Sequence, residues 1–144
     1  VWTTDKDGMV MALLAMEMYA VMGATVDRLY NNIVEGCGDP RFGRIDAACT
    51  KVAKAKLKQL NANSITATEV DGDPITNIRT TSLYKEMPID GVRVETETGW
   101  FVARPSGTED LYKIYGESYK GDKGLVALLT AGEAIVTAAL SDKV

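Results

Sequence analysis

The stretch of this 144-residue chain with the most chemistry in it is Arg104-Pro105-Ser106-Gly107-Thr108-Glu109. Arg104 carries a planar fork that can bind two oxygens of one anion. Ser106 and Thr108 add hydroxyl donors, and Gly107 lets successive backbone N–H groups turn toward a single anion. Pro105 restricts the loop and lowers the cost of ordering it. Lys113, further along, offers a second positive charge. These residue types suit a phosphate dianion. They also suit a plain turn, because Pro followed two residues later by Gly is ordinary turn chemistry.

The rest of the composition narrows the chemistry. The chain has no histidine, so the commonest general base and nucleophile activator is missing. Lys, Asp, Glu or Tyr must act, or the reaction lies elsewhere. Cys37 and Cys49 lack the CxxC spacing of a zinc or redox motif. As reduced thiols they suit a cytoplasmic protein. The net charge of −4 gives no basic footprint for nucleic acid or a membrane surface, so an anion must be held by a local pocket. Asp71-Gly72-Asp73-Pro74 brings two carboxylates together, but magnesium wants near-octahedral oxygen ligation, and the segment reads as a turn. Lys51, Lys54 and Lys58 read as the solvated side of a helix. The apolar run Met9–Met16 stops at Glu17, well short of the roughly 20 residues of a membrane span, and predicts a buried helix.

The elements that must position the loop follow from periodicity. Asp5 or Asp7 can cap a helix over Met9–Met22 that is apolar nearly all round. Gly23 breaks it, and Thr25 caps a second helix with Asp27 in its first turn. Gly36-Cys37-Gly38-Asp39-Pro40 reads as a boundary. A third helix is expected from Arg44 to about Leu60, with Ile45, Ala48, Cys49, Val52 and Leu57 on one side. The period then changes to two. Strands are expected at Ile65–Val70, Val92–Thr98, Trp100–Ala103 and Tyr112–Tyr119, with Thr80–Pro88 as loop. A last helix is expected over Asp122–Leu140. This order predicts an α+β domain, a four-stranded antiparallel sheet with flanking helices. Two helices without a sheet precede it, like the end of an α/β domain. The predicted domains are 1–38 and 39–144.

The segment from Trp100 to Ser118, WFVARPSGTEDLYKIYGES, resembles the C-terminal domain of the α-D-phosphohexomutases, most closely the bacterial phosphoglucomutase branch. Val1-Trp2-Thr3-Thr4-Asp5-Lys6-Asp7-Gly8 and Gly72-Asp73-Pro74-Ile75-Thr76 resemble two further segments of that family, in the same order. The resemblance implies a four-domain parent enzyme of which this chain is the C-terminal part. The reaction it implies moves phosphate between O1 and O6 of glucose through a phosphoserine and glucose 1,6-bisphosphate. Arg104, Ser106, Gly107 and Thr108 would form the loop that grips the phosphate not being transferred. Lys113 matches a basic position reaching the same phosphate, where some relatives have Arg. Lys6 matches a lysine near the reacting hydroxyl that acts as general acid or base. The family's phosphoserine loop contains His and has no counterpart here, and its metal and sugar-selecting loops are expected ahead of Val1. The parent would therefore use magnesium held outside this chain. Its partners would be a hexose phosphate and the remaining domains, with no nucleic acid and no membrane. A phosphomannomutase, a phosphoglucosamine mutase and a non-catalytic anion-binding module remain alternatives.

Overall fold

The computed structural model describes residues 6–84 and 86–141, and the chain divides into two compact units, Val1–Cys37 and Gly38–Val144. In the first unit Asp7 accepts the Val10 N–H at 3.0 Å and caps α1 (Gly8–Met22). Asp5, the other candidate cap, lies outside the described residues, as do the rest of Val1–Thr4. Gly23 closes the helix with a left-handed φ of 61° and donates its N–H to the Tyr19 carbonyl, a conformation that favours glycine. Thr25 caps α2 (Val26–Val34), and Asp27 sits in the first turn. Both helices occupy the predicted places. None of the residues of α1 is buried, although its apolar surface calls for cover on several sides.

The second unit contains β1 (Arg41–Ala48), α3 (Lys51–Gln59), a 3₁₀ turn at Ala62–Ser64, β2 (Glu69–Val70), β3 (Asp73–Pro74), β4 (Asn77–Thr81), β5 (Pro88–Glu95), β6 (Gly99–Pro105), β7 (Leu111–Ser118) and α4 (Gly121–Ser141). Its main sheet has five strands in the order β1-β7-β6-β5-β4, all antiparallel. The class is the α+β fold expected, with one strand more than the four expected. The strand expected at Trp100–Ala103 is part of β6, the middle strand of the sheet.

The extra strand corrects the helix expected from Arg44. Ile45 and Ala47 alternate with Arg44, Asp46 and Ala48, a period of two that the helical stripe obscures. Exposure alternates along β1 in the same way, and all eight residues pair with β7, from Arg41↔Ser118 to Ala48↔Leu111. The helix starts only after Thr50, whose hydroxyl accepts the Ala53 N–H at 3.1 Å. The strand expected over Ile65–Val70 shrinks to Glu69–Val70, because the four residues before Glu69 form neither helix nor strand. Asp71 and Gly72 have φ of 52° and 78°. They make the two-residue hairpin turn between β2 and β3, for which positive φ at both positions is required. Thr80 and Thr81 extend β4 rather than joining the following loop, and Lys85 in that loop lies outside the described residues. Within the stretch Gly36–Pro40, Asp39 already bridges Lys120 of the second unit, and Arg41 begins β1.

One face of the sheet is the core. Val92, Val94, Phe101, Ala103, Tyr112 and Ile114 are buried there with Leu57 of α3 and Leu128, Leu129 and Val136 of α4. Helix α4 has the length and apolarity of a membrane span, and its Leu128, Leu129 and Val136 are buried against the sheet. It approaches so closely that a Cβ on Gly132 would lie 3.1 Å from the Phe101 ring. Because side chains alternate along a strand, Arg93, Trp100, Val102, Arg104, Lys113 and Tyr115 share the opposite face, and the register sets Val102 beside both Arg93 and Tyr115. The Arg93 guanidinium lies 4.0 Å over the Trp100 ring. Its Nε is 2.6 Å from Glu95, which also takes Arg79 at 3.3 Å.

Candidate phosphate-binding site

The loop Ser106–Asp110 joins the two strands at the middle of the sheet, β6 and β7. It is pinned at both ends. Ser106 donates its N–H to the Leu111 carbonyl at 2.9 Å, and the Asp110 carbonyl accepts the Cys49 N–H at 3.1 Å. Inside the loop, the Glu109 N–H donates to Ser106 Oγ at 3.3 Å, and that hydroxyl donates to the Glu109 carboxylate at 3.4 Å. Among the described residues, the N–H groups of Gly107 and Thr108 have no acceptor. Two adjacent backbone donors therefore remain available to an anion.

Gly107 does not have a left-handed backbone, and a Cβ placed on it would meet nothing within 4 Å. The fold itself thus makes no demand for glycine there. The open backbone there leaves room for a ligand to approach closely.

Arg104 stands apart electrostatically. Its unit holds five arginines. Arg41 pairs with Asp39 and Asp122, Arg44 with Asp46, and Arg79 and Arg93 with Glu95. Arg104 is exposed and pairs with no carboxylate among the described residues. The register also sets it directly opposite Lys113 on β7. Like charges directly opposite one another on a sheet are destabilising. Lys113 is held 3.3 Å from Glu109, which relieves part of the repulsion but leaves the Arg104 fork unused. An anion between strand end and loop would offset that repulsion.

Beside the loop is a cleft of about 300 Å³, lined by Arg104–Gly107, by Lys54 and Lys58 of α3, and by Asp90 of β5. The two lysines are not confined to a solvated face, as their helical spacing alone suggests. Lys54 lies 3.3 Å from Asp110 at the loop's end, and Lys58 lies 3.9 Å from Asp90. Burial pushes the Cys49 thiol up; nearby Lys54 opposes this and Asp110 adds to it. Cys49 is thus an anchor rather than an activated thiolate.

The structure brings Arg104, Ser106 and Gly107 together in the cleft lining, while Thr108 and Lys113 lie next to it in the loop and on β7. Lys6 belongs to the first unit, exposed just ahead of the α1 cap. The lysine pair is what residue spacing missed. Lys54 and Lys58 stand at i and i+4, one helical face, but what faces them depends on where α3 begins.

The donor set at the Asp71–Pro74 turn does not fit magnesium. Asp73 accepts from Lys120 at 2.6 Å and from the Thr98 hydroxyl. These hydrogen bonds, Lys120 first, hold its carboxyl below the ordinary range. Among the described residues no three candidate ligands gather.

The second unit is an antiparallel α+β domain that presents an unpaired arginine and open backbone donors at a central loop, features an anion could use. The chain matches the family model described as phosphoglucomutase/phosphomannomutase, C-terminal domain, over residues 47–131. It belongs to that family. It is 41% identical to a phosphoglucomutase of Komagataeibacter xylinus over 138 residues, 96% of this chain and 25% of the relative. It is 29% identical to a probable phosphoglucosamine mutase of Thermococcus gammatolerans, covering 85% of this chain and 23% of the relative. A phosphoglucosamine mutase of Methanocaldococcus jannaschii is 42% identical over 62 residues, 42% of this chain and 14% of the relative. The chain spans at most about a quarter of the length of these curated relatives.

Proposed function

We propose that this chain is the substrate-gripping end of a phosphoglucomutase, which interconverts glucose 1-phosphate and glucose 6-phosphate through a phosphoserine and glucose 1,6-bisphosphate. Arg104, Ser106, Gly107, Thr108 and Lys113 hold the phosphate that is not being transferred. The observation that carries this reading is the unpaired Arg104 beside the open N–H groups of Gly107 and Thr108. Every other arginine of the unit already has a carboxylate. Each charge-assisted hydrogen bond contributes about 1.5–3 kcal/mol, so a few of them suffice to hold a phosphate against water.

Lys6 serves as the general acid or base near the reacting hydroxyl, in the part contributed by residues 1–38. Residues 39–144 form the last domain and close over the substrate, with Gly36–Gly38 as the hinge. The positive φ of Gly36 and Gly38, 89° and 82°, supports a change of chain direction there. Closure excludes water and protects the phosphoenzyme from hydrolysis. Magnesium serves the phosphoserine from ligands outside the described residues, in a cytoplasmic enzyme.

The phosphoglucosamine mutase relatives favour a second reading within the family. The longer and stronger match to a phosphoglucomutase favours glucose.

In the complete mutase, Arg104→Ala is expected to raise KM for glucose 1-phosphate at least tenfold without loss of folded protein. Unchanged KM and kcat would overturn the reading. The 144-residue chain alone is expected to show no turnover, because no phosphoserine loop is recognisable in it. Turnover by the pure chain would contradict that.

A further inference from the structure

We propose that Lys58, supported by Lys54, forms the second wall of the phosphate site, and that Asp90 is the anion a phosphate monoester displaces when it binds. The inference rests on the reading of Arg104–Thr108 as a phosphate loop and extends it to α3 and β5.

Two lysines, Lys54 and Lys58, line the cleft together with Arg104–Gly107 and one carboxylate, Asp90. The two lysines are not equally committed. Lys54 is 20% exposed and 3.3 Å from Asp110. It holds the end of the loop and adds charge to the cleft wall. Lys58 is 56% exposed and stands 3.9 Å from Asp90, at the outer limit of an ion pair. A pair so long and so solvated is weakly held, and a doubly charged phosphate competes well with a single carboxylate for the same ammonium.

The position of Asp90 is itself unusual. It has φ of 53° within β5, a left-handed conformation rare for residues other than glycine, asparagine and aspartate. The next residue, Gly91, has no room for a Cβ, which would lie 2.1 Å from the Ala103 carbonyl. The backbone at this point therefore runs tight against β6, next to Arg104, and the Asp90 carboxylate lines the same cleft as the phosphate loop. In this arrangement Asp90 occupies Lys58 until a stronger anion arrives.

The test is titration of the 144-residue chain with inorganic phosphate and with glucose 6-phosphate, followed by calorimetry and by amide and lysine Nζ nuclear magnetic resonance shifts. Lys58→Ala is expected to weaken phosphate binding at least threefold, and Lys54→Gln with Lys58→Ala at least tenfold. Lys58→Arg is expected to retain binding. Asp90→Asn, which tolerates the same backbone conformation, is expected to tighten it at least threefold. In the unaltered chain the Lys58 Nζ signal is expected to move on phosphate addition, a readout independent of whether any variant folds. Binding that needs Arg104 but is unchanged within twofold in all these variants, with a stationary Lys58 signal, would overturn the proposal and leave the phosphate loop standing. Absence of any phosphate binding by the unaltered chain would overturn both.

Discussion

Two arginine settings on the same sheet face separate structure from function. At Arg93 the guanidinium lies over Trp100, shares Glu95 with Arg79 and has its charge matched. Burial disfavours the charged form of Glu95, but hydrogen bonds from Arg93 and Arg79 outweigh that and hold its carboxyl below the ordinary range. At Arg104, at the end of the neighbouring strand, the guanidinium has no carboxylate among the described residues and stands opposite Lys113. The first arrangement stabilises the fold at rest. The second leaves a positive charge without a matching carboxylate among the described residues, which a bound anion would match. Residue type does not distinguish the two, and only partners do.

Substitutions can break this contrast. The largest loss is expected away from both arginines. Phe101→Ala empties the core under Gly132 and should cost about 3–5 kcal/mol of stability, read by denaturant unfolding. Such a loss shows that the sheet is held by its helix-covered face. Arg104→Ala should weaken phosphate binding by about 1.5–3 kcal/mol, tenfold or more, while the thermal midpoint stays where it was. A drop in midpoint matching that of a core variant would make Arg104 structural.

Glu95→Gln should act in the opposite sense, lowering stability by about 1 kcal/mol and leaving phosphate affinity alone. Its pH signature follows from the sign of the shift. A carboxyl depressed in the folded state stabilises fully above its unfolded pKa, and loses that contribution as pH falls through the folded value. Thermal melts of the unaltered chain should therefore decline as the pH is lowered from about 5. Glu95→Gln should flatten that decline, and an identical slope would refute the assignment. The smallest effect on stability is expected at Gly107→Ala, within about 0.5 kcal/mol, because a Cβ there meets nothing within 4 Å. Its phosphate affinity should nevertheless fall, since the methyl occupies the path of the anion to the backbone.

How much of this is legible in the residues varies with the kind of signal. Helices α1 and α2 follow from their caps, Asp7 and Thr25, and from unambiguous breaks. At Arg104–Thr108 a loop falls between two strands as expected, but Arg104 and Pro105 end β6 and only Ser106–Asp110 lie outside the strands. Strand β1 was hidden because Ile45, Ala48, Cys49 and Val52 satisfy a helical spacing, and local pattern cannot reveal that β7 needs an edge partner. The site was incomplete for the same reason. Lys54 and Lys58 reach the loop through tertiary packing of α3 beneath β5 and β6, which leaves no mark on their own spacing. The free state of Arg104 is likewise a matter of where every carboxylate ends up.

The most direct measurement is a phosphate titration of the 144-residue chain followed by backbone amide shifts. Saturable shifts confined to Ser106–Thr108 and the residues lining their cleft, abolished by Arg104→Ala and preserved in Glu95→Gln, are expected. Shifts that are absent, that centre on Arg79, Arg93 and Trp100, or that survive Arg104→Ala would contradict the phosphate loop.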